Sequence, residues 1–113
     1  MIDDDEVKEL TRIARIEGIE KFVVGAFIMK EGRLLIVRRA STEGFLPNLQ
    51  EIPSGGVEVG ETLLAALRRE VWEETALRIL DIKTYVNCFD YVSGSGKNTR
   101  ESHYPTPRGT LTN

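Results

Sequence analysis

Apolar and polar residues alternate with several different periods along this chain, and each period predicts an element. From Asp3 to Glu17, Val7, Leu10, Ile13 and Ala14 recur at helical spacing, which predicts an amphipathic helix. Acidic residues at its start suit the helix dipole, and Gly18 is a natural stop. Phe22 to Met29 is a continuous apolar run containing Val23-Val24, and Leu34 to Val37 is a second. Between them, Lys30-Glu31-Gly32-Arg33 predicts a hairpin turn joining two buried strands. Thr62 to Thr75 lacks Gly and Pro and is rich in Leu, Ala, Arg and Glu, so it predicts a helix with Thr62 at its N-cap or first turn. On that helix Leu63, Ala66, Leu67 and Val71 form the core stripe, while Ala65 and Trp72 fall outside it. Arg78 to Val92 predicts one or two strands, followed by a turn over Ser93 to Asn98.

The end of the chain breaks the pattern. From Thr99 onward only Tyr104 and Leu111 are large and apolar, among Pro105, Pro107 and Gly109. That predicts neither a strand with a buried face nor a helix. The predicted organisation is therefore an N-terminal helix (1–20), a central domain (21–100) and an irregular tail (101–113). Missing apolar content after Gly96 would leave a sheet edge uncovered, which implies self-association, as a homodimer, or marginal stability. His103, the single histidine, falls in that tail and is a weak candidate for a general base.

Composition adds bounds. A chain of 113 residues with 41% hydrophobic and 29% charged residues fits one small globular domain. A net charge of −3 gives no reason to expect a nucleic-acid partner, and no apolar run reaches membrane-spanning length. Cys88 is the single cysteine and the N-terminus is acidic, so a cytoplasmic setting is the default expectation.

The candidate chemistry lies in Gly55 to Leu77. A Gly-Gly loop runs into the second helix, where Glu70, Glu73 and Glu74 fall on one side at i, i+3 and i+4. Such carboxylates repel one another, and they lie at the end of the helix where its dipole disfavours negative charge. Arg69 relieves part of this by pairing with Glu73 at i, i+4. A hard divalent cation relieves more, because Mg²⁺ takes carboxylate and carbonyl oxygens and keeps sites for substrate phosphates. A solvated charged face is the ordinary reading of a Glu-rich helix. The spacing argues otherwise: about eight fixed positions agree by chance on the order of once in ten million starts.

These residues resemble the signature box of the Nudix hydrolases: Gly55, Glu61, Arg69, Glu70, Val71, Glu73, Glu74 and Leu77 each stand at a box position. Ala76 stands where the family has a glycine that ends the helix in a left-handed turn, so a modest backbone cost is expected there. The resemblance implies an α+β fold, a mixed β-sheet packed between helices, incomplete here at the C-terminus. It implies an enzyme that cleaves the pyrophosphate bond of a nucleoside di- or triphosphate derivative, using Mg²⁺ or Mn²⁺, with a small nucleotide as its partner. The alternative is a non-catalytic nucleotide-binding domain on the same scaffold. Glu70, Glu73 and Glu74, with a backbone carbonyl near Gly55, are the implied metal ligands. Glu70 or Glu73 is the implied base, and Arg69 orients the glutamates. Arg38 and Arg39, at the end of the second strand, are candidates for substrate phosphate. Glu61 is expected to support the loop–helix junction, Glu58 is a minor candidate, and Glu101 is the nearest later acid to complete a metal shell. Phe45 and Leu46, in the 40–50 loop, are expected in the core or a pocket wall.

Overall fold

The computed structural model describes residues 4–38, 50–79, 82, 87–106 and 111–112. Helix α1 spans Asp4–Ile16 and helix α2 spans Leu63–Thr75. The strands are β1 (Lys21–Lys30), β2 (Arg33–Leu34), β3 (Val37–Arg38), β4 (Gln50–Glu51), β5 (Ser54–Gly56), β6 (Arg78–Ile79), β7 (Asn87–Val92), β8 (Asn98–Thr106) and β9 (Leu111–Thr112).

β1 organises the main sheet. Along one edge it pairs antiparallel with β2, at Lys30↔Arg33, and with β5, at Val24↔Gly55. Along the other it pairs parallel with β8, from Lys21↔Thr99 to Ile28↔Thr106. β7 then adds antiparallel to β8. The β1–β2 hairpin turns as its sequence predicts. Glu31 (φ 53°) and Gly32 (φ 76°) both take left-handed conformations, which is the twist-matched form of a two-residue hairpin loop. β3–β4 and β6–β9 form two small antiparallel ladders.

Side chains alternate across a strand. In β1, Phe22, Val24, Ala26 and Ile28 are buried and join one apolar cluster with Val7 and Ala14 of α1, with Leu63, Ala66, Leu67 and Val71 of α2, and with Tyr104 of β8. The predicted α2 stripe is thus the core face, widened by Leu64. In α1 only Val7 and Ala14 are buried, and Leu10 and Ile13 stay exposed, so the stripe is narrower than its spacing suggests. The first helix is docked on the domain through Val7 and Ala14, and just past it Glu20 and Asn98 exchange backbone and side-chain hydrogen bonds of 2.8 and 3.1 Å.

β8 corrects the reading of the C-terminal residues. The stretch expected to lack a strand is the central strand of the sheet, and residues 101–106 of the expected tail belong to it. Tyr104 is buried on the face it shares with Phe22, Val24 and Ala26 of β1, and Thr99 is enclosed on the opposite face. The hydroxyl of Thr99 donates to the Lys97 carbonyl at 2.9 Å, so its burial leaves no polar group unmatched. Pro105 lies past His103, the last residue of β8 with a β7 partner among the described residues, so its missing N–H breaks no rung there. β8 thus covers the edge of β1 that the missing apolar content after Gly96 was expected to leave open, and β7 in turn covers β8. Arg39, the 40–49 loop with Phe45 and Leu46, and Leu80, Tyr85 and Val86 lie outside the described residues.

Candidate active site

α2 is built to end where its glutamates are. Thr62 is its N-cap (φ −77°, ψ 162°), and its hydroxyl accepts the Ala65 N–H at 3.1 Å. At the other end Ala76 adopts φ 58°, ψ 22°, the left-handed turn for which glycine is the usual choice, and its N–H donates to the Trp72 carbonyl at 2.9 Å. The backbone cost expected from this substitution is therefore present.

β5 brings the Gly-Gly pair against this helix. A Cβ on Gly55 would overlap the Glu70 carboxylate, so the position admits only glycine while Glu70 lies there. That close approach is why the loop carries a bare backbone at this point.

Arg69 holds the loop to the helix. Its Nε–H and one Nη2–H donate to the two carboxylate oxygens of Glu61 at 2.8 and 2.9 Å. Nη1 donates to Glu70 at 2.7 Å and to Glu73 at 3.3 Å, and Nη2 to the Gly56 carbonyl at 3.0 Å. These bonds occupy all the guanidinium donors. The pairing with Glu73 expected from i, i+4 spacing is present but is the longest of these hydrogen bonds. The fork on Glu61 is the principal one. Its hydrogen bonds hold the Glu61 carboxyl below the ordinary carboxylate range, and the same contacts push the Arg69 guanidinium up. Glu61 also accepts the Glu58 N–H at 3.0 Å, closing the loop on itself.

Glu74 behaves differently. Much of its side chain meets solvent, yet its carboxyl is pushed up to about 7. Burial of the carboxyl end is the main cause, and Glu70, then Glu51, add like charge; an N–H from Ser54 offsets part of this. Glu70 also shares a hydrogen bond with Glu74. Glu70 is nearly covered, with 14% of its side chain exposed, whereas Glu73 is 55% exposed and looks outward.

Among the described residues no three acidic, histidine or cysteine side chains already converge at ligating distance. The structure brings Gly55, Glu70 and Glu74 together and leaves Glu73 at the margin. Arg38 lies in β3 opposite Gln50, one residue from Glu51.

One group escaped the sequence reading. Glu51 faces Glu74, although no spacing rule links residues on different elements. On β8, Glu101 accepts hydrogen bonds from His103 Nε2 at 2.7 Å and from the Tyr91 hydroxyl at 3.1 Å. The His103 ring lies edge-on to Phe27 and Phe89 and crosses Gly25, which also borders Ser54. His103 is thus fixed in a sheet rather than carried by a tail. The two-residue step from Glu101 to His103, which puts both on one strand face, is the signal that marks them.

A mixed sheet that presents a carboxylate pair on a glycine loop and helix defines the class: an α+β loop–helix acid-site protein. A family model described as the NUDIX domain matches residues 20–107, and the chain belongs to that family. A MutT-like protein of Streptomyces ambofaciens is 40% identical over 57 residues, covering 50% of this chain and 34% of that protein. The nucleoside triphosphatase NudI of Enterobacter sp. (strain 638) is 37% identical over 60 residues, covering 53% of this chain and 43% of that one. The chain thus matches less than half the length of these relatives. The MutT protein structure from Methanosarcina mazei Go1 aligns with a TM-score of 0.69 at 24% identity, over 80% of this chain and 65% of that one. The solution structure of the E. coli ORF135 protein aligns at 0.66 and 28% identity, over 85% and 68%.

Proposed function

We propose that this chain hydrolyses the pyrophosphate bond of a nucleoside di- or triphosphate derivative with the help of a divalent cation, Mg²⁺ or Mn²⁺. The observation that carries this reading is the Glu70–Glu74 pair, crowded against Gly55 with Glu51 beside it, so that Glu74 holds a proton near neutral pH. Hard oxygen donors crowded together in this way fit a hard dication. Glu70, Glu74 and a backbone carbonyl at Gly55 would hold it, with Glu73 or Glu51 completing the set. When bound, such an ion lowers the pKa of water and screens the charge on the phosphates.

The chain's own groups supply the rest. Arg69 has no donor to spare for substrate, so it is a positioning residue that sets Glu70 and Glu73 relative to the Gly55–Glu61 loop. The base is whichever of Glu70 and Glu73 is left unligated, and it takes the proton from the attacking water. Glu73 is the more exposed of the two and is held by the longer bond. Arg38 and Arg39 provide cationic contacts for the substrate phosphates.

The test is hydrolysis of a panel of nucleoside triphosphates and dinucleoside polyphosphates, with and without Mg²⁺, followed as phosphate or pyrophosphate release. Turnover that needs the cation and disappears in Glu74→Gln supports the reading. Nucleotide binding without turnover across the panel would make this a non-catalytic nucleotide-binding member of its family. The kcat–pH profiles of Glu70→Gln and Glu73→Gln identify the base as the residue whose loss removes the acidic limb.

A further inference from the structure

We propose that a cavity bordered by the Val57–Glu61 loop, and lined by none of Glu70, Glu73 and Glu74, binds a small oligophosphate anion. It has a volume of about 700 Å³ and lies where β1 begins, between α1, the loop and the β7–β8 turn. That size is within the usual range of small-molecule pockets and large for a single phosphate. Lys8 and Arg15 line it from α1, Lys21 from β1 and Lys97 from the turn.

These cations are not matched by the protein. Lys8, Lys21 and Lys97 make no ion pair among the described residues, and Arg15 lies 5.4 Å over the ring of Phe22 rather than on a carboxylate. The acids of the wall are engaged elsewhere. Glu61 is held by the Arg69 fork, Glu58 lies 3.8 Å from Arg69, and Glu20 accepts the Asn98 N–H. Even with Glu20 and Glu58 counted in full, positive charge is in surplus. The N-terminal end of α2 opens at the same wall, at Thr62 and Leu63, with no acidic residue in its first turn. Its positive dipole end adds to the field. Four like charges drawn from three elements repel across this space, and an anion bearing several charges relieves them together. A phosphate chain, with strong acceptors at each unit, matches a wall of ammonium and guanidinium donors.

Glu70 and Glu74 do not line this cavity, which allows a clean test. Inorganic pyrophosphate and AMP are titrated into the full chain by calorimetry in EDTA, without divalent cations. Under those conditions the carboxylate site repels both probes. Saturable binding of pyrophosphate is expected, at least tenfold tighter than AMP. The double variant Lys8→Glu/Lys97→Glu should weaken it at least tenfold, and Glu70→Gln/Glu74→Gln should leave it unchanged. Both lysines are exposed; if thermal melts show the reversal variant unfolded, Lys8→Gln/Lys97→Gln serves, with at least a threefold loss expected. Four results overturn the proposal: no binding, binding indifferent to the lysines, binding lost with the glutamates, or AMP binding as tight as pyrophosphate.

Discussion

Glu74 is the residue where stability and chemistry pull in opposite directions. Its native carboxyl titrates near 7, well above its value in an unfolded chain, so folding disfavours the ionised form. Below about pH 4.5 the group is protonated in both states and costs nothing. As pH rises the unfolded chain ionises first, so native stability falls until the folded carboxyl also ionises near 7. Glu61 and Asp90, held below the ordinary range by Arg69 and Arg100, titrate beneath this window and do not obscure it. Melting curves in EDTA should therefore show the protein less stable at pH 8 than at pH 5, by about 1 kcal/mol once solvent access to the side chain is allowed for. Glu74→Gln should flatten that difference while removing cation-dependent turnover, and millimolar Mg²⁺ should restore stability to the natural chain at pH 8. Gly55→Ala is the complementary change. Its methyl group overlaps the end of the Glu70 side chain, which must turn aside, so a loss of about 1 kcal/mol or less together with at least a hundredfold loss of rate is expected. Retained rate would mean that Glu70 need not lie where the structure places it.

Between residue and fold, α2 shows what a single helix can and cannot reveal in advance. Its cap, core stripe and acidic side follow from spacing alone, because 3.6-residue geometry fixes which side chains are neighbours. Ala76 follows in the same way, since the turn after a helix has few solutions. Replacing it with glycine should stabilise the protein by roughly 0.5–1 kcal/mol, read as a rise in melting temperature. An unchanged melt would mean the left-handed turn relaxes at no cost. Thr62→Ala should cost about 1 kcal/mol through the lost bond to Ala65. What the helix alone does not disclose is its partners. The Glu61 fork on Arg69 joins residues two turns apart across a loop, and Glu51 reaches Glu74 from another element altogether. β8 was hidden for a different reason. Its buried side chains are Thr99 and Tyr104, separated by Arg100, Glu101, Ser102 and His103, so neither composition nor alternation marks it as central. Its place comes from backbone pairing on both sides, which side-chain pattern does not record.

For the molecule as a whole, one apolar cluster joins both helices to the sheet, and Tyr104 carries the late part of the chain into it. Tyr104→Ala should cost roughly 3–5 kcal/mol in chemical denaturation, enough to unfold much of a domain of ordinary stability. A loss below about 1 kcal/mol would show that β8 is dispensable to the core. The long parallel ladder between β1 and β8 has a further consequence, one of timing. Lys21 is hydrogen-bonded in register with Thr99, so an early strand waits for a partner encoded near the other end. Such a wide span delays closure of the ladder and places the molecule among slow folders for its size. On the ribosome the first hairpin and α2 emerge well before the strand that completes them. Nascent chains arrested with only residues 1–96 outside the exit tunnel should be cut readily by protease, and those exposing residues 1–106 should resist.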